Sequence, residues 1–158
     1  MNSEINPKVT VLMAVHNGSP YLRTAIDSIL SQTYPDFCFL IFDDASTDSS
    51  REIVRSYEDE RIQLVCLDQN VGQTAALNIG LRRATTTWIA RMDADDVSAQ
   101  TRFARQYTFM EAQSGLVLCG CRVEYFPREQ VRGGALWYEA WINSTSTPDE
   151  VAREIFVE

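Results

Sequence analysis

Short, largely apolar runs alternate along this chain with longer segments of helical spacing, and that alternation admits few folds. Residues 9–15, a continuous apolar run, 37–42 and 88–92 each read as a buried strand, and 62–67 as a further strand. Helices are expected over 21–32, 48–57, 73–84 and 101–113. In the first, Leu22, Ala25, Ile26, Ile29 and Leu30 recur at helical spacing, with Ser19 as a candidate cap and Pro20 at the first helical position. Asp48 reads as the cap of the second. Ala76, Gly80 and Ala84 give the third a small face that permits close approach to a sheet. A fifth strand is expected over 116–126. Strands alternating with helices in this way predict an α/β fold with a doubly wound, mainly parallel sheet and helices on both faces.

Two of the runs end on aspartates: Asp43-Asp44, and Asp93-Ala94-Asp95-Asp96. In an open parallel sheet, ligands bind beyond the carboxyl ends of the strands, where strand order reverses. Carboxylates gathered there repel one another unless a cation or hydrogen-bond donors offset them. Oxygens two residues apart, as on Asp93 and Asp95, suit a hard cation such as Mg²⁺ or Mn²⁺. The competing reading is that these aspartates are turn and cap residues, and for Asp96 the two are equally good. Asp44 is placed to accept hydrogen bonds from a base or ribose edge. His16, the only histidine, follows the first strand at the same rim and reads as a ligand contact rather than a general base. Gly72 and Gly80 read as turn or packing glycines, not phosphate cradles.

At 158 residues the chain can bury about 68–70% of its unfolded surface as one core. A net charge of −8 argues against a nucleic-acid partner, because phosphate-backbone binding rests on clustered Lys and Arg. Lys8 is the only lysine, which removes chemistries that need a catalytic or phosphate-binding lysine. Receiver domains and haloacid-dehalogenase-type phosphatases are disfavoured on that ground. Neither a G-x-G-x-x-G after the first strand nor a Walker A pattern is present. No run approaches the ~20 apolar residues of a membrane span, and the first residues do not form a signal peptide. Cys38, Cys66, Cys119 and Cys121 are expected on strands as buried thiols, which with the rest predicts a cytoplasmic protein.

Residues 127–143 carry Gly133-Gly134 and two tryptophans without a clear period. Thr147-Pro148-Asp149-Glu150 then spells a capping box that starts a helix running to the last residues. That helix meets no stop signal before Glu158, from which a longer parent chain is expected.

Taken in order, residues 9–17, Ser28-Ile29-Leu30-Ser31-Gln32-Thr33-Tyr34, Asp43-Asp44-Ala45-Ser46-Thr47-Asp48, Asn70-Val71-Gly72, Leu77-Asn78-Ile79-Gly80-Leu81 and Arg91-Met92-Asp93-Ala94-Asp95-Asp96 resemble the family 2 glycosyltransferases with the GT-A fold. The resemblance covers about residues 9–125. It implies a nucleotide-sugar-binding core over 1–126 and the incomplete start of an acceptor-side segment over 127–158. It further implies binding of a nucleoside-diphosphate sugar, with a UDP-sugar favoured, and transfer of the sugar with inversion to a saccharide or lipid-linked acceptor. Ala14, His16 and Asp44 match nucleoside-pocket positions, Asp93 the ribose-side aspartate, and Asp95 the aspartate that holds Mn²⁺ or Mg²⁺. Bacterial polysaccharide synthesis at the inner face of the membrane is the implied setting. Ala45 replaces a glycine, Gln100 stands near a common proline, and His16 replaces a frequent tyrosine. No residue of 131–158 matches the family's catalytic-base carboxylate. A non-catalytic nucleotide-binding or assembly module derived from the same fold is the alternative.

Overall fold

The computed structural model describes residues 7–154. They group into two compact units that divide between Ser114 and Gly115. In the first unit, β1 (Val9–Val15), β2 (Phe37–Asp43), β3 (Ile62–Cys66) and β4 (Trp88–Arg91) form one sheet in the order β3-β2-β1-β4. All pairings are parallel, with Val9 opposite both Phe37 and Trp88, and Phe39 opposite Ile62. Strand order therefore reverses between β1 and β4, the switch point of an open α/β sheet.

Side chains of the two central strands leave the sheet alternately, and both faces are covered. Val9, Val11, Met13 and Val15 of β1 and Phe37, Phe39 and Ile41 of β2 pack with α1 (Leu22–Leu30), Val54 of α2 (Ser50–Arg55) and Phe103 of α4 (Arg102–Glu111). Leu12, Ala14, Leu40 and Phe42 point the other way, onto Ala76 of α3 (Gln73–Arg83). This two-sided burial is why β1 and β2 read as unbroken apolar runs. A Cβ on Gly80 would collide with the Leu12 side chain and come within 2.9 Å of the Phe42 ring, so α3 lies against the sheet at a distance only glycine permits.

Helix α1 begins later than Ser19 and Pro20 suggest. Tyr21 is its N-cap, and no side chain caps it. The Gly18 carbonyl accepts the N–H groups of Tyr21 and Leu22, both at 3.0 Å, while the Ser19 N–H is spent on Asp48 Oδ2. Asp48 does the work expected of it one residue early: Ser49 is the N-cap of α2, and Asp48 Oδ1 accepts the Ser50 N–H at 2.9 Å.

The second unit departs from expectation. No strand forms over 116–126. Val117 is 84% exposed, and at Val123 and Tyr125 the backbone is met by side chains instead of a neighbouring strand. Asn143 accepts the Val123 N–H and donates to the Val123 carbonyl, both at 2.8 Å, and Glu139 accepts the Tyr125 N–H at 2.7 Å. Both partners belong to α5 (Gly133–Ser144), a helix where sequence showed no period. Helix α6 (Pro148–Glu154) does open on its capping box: Glu150 accepts the Thr147 N–H at 2.9 Å, and its own N–H reaches Thr147 Oγ1 at 3.3 Å. The thiols are not buried as expected. Cys66 ends an edge strand and is exposed, Cys121 is exposed on the irregular segment, and Cys38 and Cys119 are half-buried. Residues 155–158, onto which the last helix was expected to run, lie outside the described residues.

Candidate functional site

A cavity of about 370 Å³ opens at the carboxyl end of the sheet beside the switch point. Its walls come from three strand ends and the start of α3: Ala14 to Gly18 at the end of β1 and just after it, Asp44 after β2, Gln73, and Ala94-Asp95 after β4, with Tyr21 at the rim. Ala14, His16, Asp44 and Asp95, expected from sequence to work together, thus meet around one space. Asp93 stands beside it rather than in its wall, and the Gln73 amide donates to Asp93 Oδ1 at 3.3 Å. Arg91 spans both Asp93 oxygens at 3.1 Å.

Donors, not only cations, offset the carboxylates. Asp44 is 2% exposed, and its oxygens accept the backbone N–H groups of Val71 at 2.8 Å and Gly72 at 2.9 Å. Each oxygen keeps a second lone pair. Gly72 has φ +85°, the left-handed backbone that brings its N–H onto Asp44 ahead of α3. Asp43, its neighbour, leaves the opposite face of β2 and is tied to Arg51 of α2, which raises the Arg51 guanidinium above its ordinary value. Asp96 is not a helix cap: Thr101 is the N-cap of α4. Burial, then the charges of Asp93 and Asp95, raise the Asp96 carboxyl above the usual range.

The β1 exit is fastened to the β2 exit. His16 Nδ1 lies 2.7 Å from the Asp44 carbonyl oxygen, which can only accept, so the proton is on Nδ1. Nε2 is then the acceptor for the Asn17 amide at 3.2 Å. With both ring nitrogens engaged, His16 presents an oriented ring rather than a free base. Asn17 has φ +54°, and its Oδ1 accepts the N–H groups of Thr47 at 2.8 Å and Asp48 at 3.3 Å. Its own N–H donates to Ser46 Oγ at 3.0 Å. Ala45, where a glycine was expected, also has φ +55°.

Sequence reasoning missed Asn17, Tyr21 and Gln73. Tyr21 had a signal: it precedes the Leu22–Ile29 stripe but lies outside it, and it is 61% exposed. Asn17 and Gln73 had none beyond adjacency to a strand exit or a helix start. Among the described residues no group of three or more His, Cys, Asp or Glu could hold a metal ion by itself. Nor is any helix there long and apolar enough to cross a membrane.

Comparison with known proteins gives this arrangement a context. The profile of the family described as "Glycosyl transferase family 2" matches residues 10–155. The protein named "Putative glycosyltransferase EpsE" of Bacillus subtilis (strain 168) is 37% identical over 139 residues, 86% of this chain and 49% of its own length. The O-antigen biosynthesis glycosyltransferase WbnJ of Escherichia coli is 36% identical over 126 residues, 76% of this chain and 48% of its own. The chain therefore spans about half the length of such relatives. Among solved structures, the mannosyltransferase PcManGT of Pyrobaculum calidifontis, in complex with GDP-Man and Mn²⁺, matches with a TM-score of 0.61 and 31% identity over 66% of this chain and 32% of that one. TarS of S. aureus (residues 1–349), in complex with UDP, matches in fold with a TM-score of 0.64 at 20% identity, over 75% of this chain and 40% of that one.

Proposed function

The chain belongs to glycosyl transferase family 2, with the α/β architecture of GT-A glycosyltransferases, and from that premise we propose that it is the donor-binding part of an inverting enzyme that uses a nucleoside-diphosphate sugar. The observation that carries this reading is the convergence of Ala14, His16, Asp44 and Asp95, from three separate strand ends, on one cavity at the sheet's switch point. Ala14, the oriented His16 ring and the free lone pairs of Asp44 would receive the nucleoside. Asp93, held by Arg91 and Gln73 at the cavity's edge, would face the ribose.

Asp95 offers an exposed carboxylate to the same space. A single carboxylate fits Mn²⁺ or Mg²⁺ when phosphate oxygens supply further ligands. Bound there, the cation would offset the diphosphate charge and make the nucleotide a better leaving group. Asp95 would thereby fix the diphosphate end of the donor, while the His16 and Asp44 side fixes the nucleoside end. The acceptor hydroxyl would attack the anomeric carbon in one displacement, deprotonated by a carboxylate that we assign to no residue of this chain.

UDP is the favoured nucleotide and a saccharide or lipid-linked molecule the acceptor, in bacterial surface-polysaccharide synthesis at the cytoplasmic side of the membrane. Support comes from relatives such as WfaP of Escherichia coli, named as a UDP-Glc:alpha-D-GlcNAc-diphosphoundecaprenol beta-1,3-glucosyltransferase and 34% identical over 107 residues, 66% of this chain and 42% of its own. Calorimetric titration with UDP and GDP, with and without Mn²⁺, tests the reading. Mn²⁺-dependent binding is expected in the wild type and lost in Asp95→Ala, with the unfolding midpoint unchanged. Equal binding by the variant would refute the role given to Asp95.

A further inference from the structure

The turn that carries Asp95 is anchored at both ends by other elements. Upstream, the Met92 N–H donates to the Leu12 carbonyl at 3.0 Å, extending the β1–β4 ladder. Downstream, residues 98–103 are gripped by the last turn of α1 and the residues just after it. The Ser98 N–H donates to Ser28 Oγ at 3.0 Å, and that hydroxyl donates onward to the Ala25 carbonyl at 2.7 Å. Gln32 Nε2 lies 2.8 Å from the Ala99 carbonyl and 3.1 Å from Ser98 Oγ, and Gln32 Oε1 accepts the Phe103 N–H at 3.0 Å. The Thr33 N–H adds a bond to the Gln100 carbonyl at 2.9 Å.

Ser28, Gln32 and Ser98 are only 8%, 7% and 5% exposed, so this is a polar clasp built inside the protein. Apolar side chains could fill the same gap without the desolvation that buried polar groups incur. What they could not do is fix which backbone group faces which. Along 98–103 the Ser98 and Phe103 N–H groups donate while the Ala99 and Gln100 carbonyls between them accept, and this order matches the groups α1 and its exit present. Neither Ser28 nor Gln32 lines the cavity.

Resting on the nucleotide-sugar reading, we infer that Ser28 and Gln32 are positioning residues for metal-dependent binding of the diphosphate. They hold the 93–97 turn so that Asp95 stands at the cavity, and they do so from the far side of the loop. The test compares wild type, Ser28→Ala, Ser28→Thr and Gln32→Met by calorimetry with UDP and GDP plus Mn²⁺, and with uridine and guanosine without metal. Ser28→Ala and Gln32→Met should bind the Mn²⁺–diphosphate on the order of tenfold more weakly, as when a group supporting a metal ligand is removed. Affinity for the nucleoside should be unchanged, and Ser28→Thr, which keeps the hydroxyl, should match wild type. Unchanged Mn²⁺-dependent affinity, or an equal loss for the nucleoside, would overturn the inference. Should Gln32→Met fail to fold, Ser28→Ala decides. Amide exchange over 93–97, read without any ligand, separates the two claims. It should quicken in Ser28→Ala, and no change there would overturn the positioning role alone. A wild type without Mn²⁺-dependent nucleotide binding would overturn the nucleotide-sugar reading.

Discussion

Asn17 Oδ1 accepts the Thr47 N–H at 2.8 Å, so a single side chain joins the loop after β1 to the loop after β2. The same atom takes the Asp48 N–H, and the Asn17 amide holds His16 by Nε2. Two cavity walls are thereby made interdependent. Asn17→Ala should lose about 2–4 kcal/mol of stability, from three hydrogen bonds each worth about 0.5–1.5 kcal/mol net and from alanine's strain in the left-handed backbone. Asn17→Gly, which tolerates φ +54°, should recover only the backbone part. Urea unfolding of the three proteins measures both steps.

Ala45 holds a left-handed backbone that glycine adopts without strain. That conformation costs an L-residue roughly 1–2 kcal/mol, against about 0.4–1 kcal/mol of added unfolded-state entropy for glycine. Ala45→Gly should therefore stabilise by about 0.5–1 kcal/mol. An unchanged or lower urea midpoint would contradict the strain.

Gly80→Ala should destabilise, by about 1–2 kcal/mol, although alanine is the better helix former by about 1 kcal/mol. The new methyl has to displace Leu12 and Phe42, which are 2% and 0% exposed. Thermal melting would show whether the close packing outweighs the propensity gain.

Asp44→Ala should behave unlike Asp95→Ala. It removes the acceptor of the Val71 N–H, while the Gly72 N–H keeps Asn70 Oδ1 at 3.1 Å, a loss of about 1–3 kcal/mol for the group left without a partner. Both variants should weaken nucleotide binding, but only Asp44→Ala should also lower the melting temperature.

Burial opposes ionisation of the Asp48 carboxyl, yet hydrogen bonds from Ser50 and Ser19 outweigh that and hold it well below the usual carboxylate range. A carboxyl depressed in the folded state contributes stability above its unfolded pKa, and this is lost as pH falls through the folded one. The urea midpoint should thus decline below about pH 4. Asp48→Asn should flatten that decline while lowering the midpoint at neutral pH.

The two central strands were legible because burial on both faces leaves a continuous apolar signature, whereas β4, expected to be buried, is an edge strand with Ile89 39% exposed. The bounds of β1 matched, and β2 and β4 differ by one residue at one end. The site was legible in part, since aspartates at strand exits carry chemistry in their type and place. Asn17 was not, because its role depends on loops that meet only in three dimensions. The strand expected over 116–126 failed for a related reason: alternating apolar residues show what a segment could pair with, not what it finds. There Asn143 and Glu139 supply the backbone's partners from a helix. That helix was itself hidden, since Leu136, Trp137, Tyr138, Trp141 and Ile142 surround its axis instead of marking one side.

Asp43 and Asp44 are adjacent in sequence yet answer to different layers, one locked to Arg51 under α2 and the other to the amides ahead of α3. The doublet is thus two independent controls rather than one acidic patch. Editing the first changes how firmly a buttress is bolted, whereas editing the second alters the cavity wall and at the same time releases the loop it pins ahead of α3.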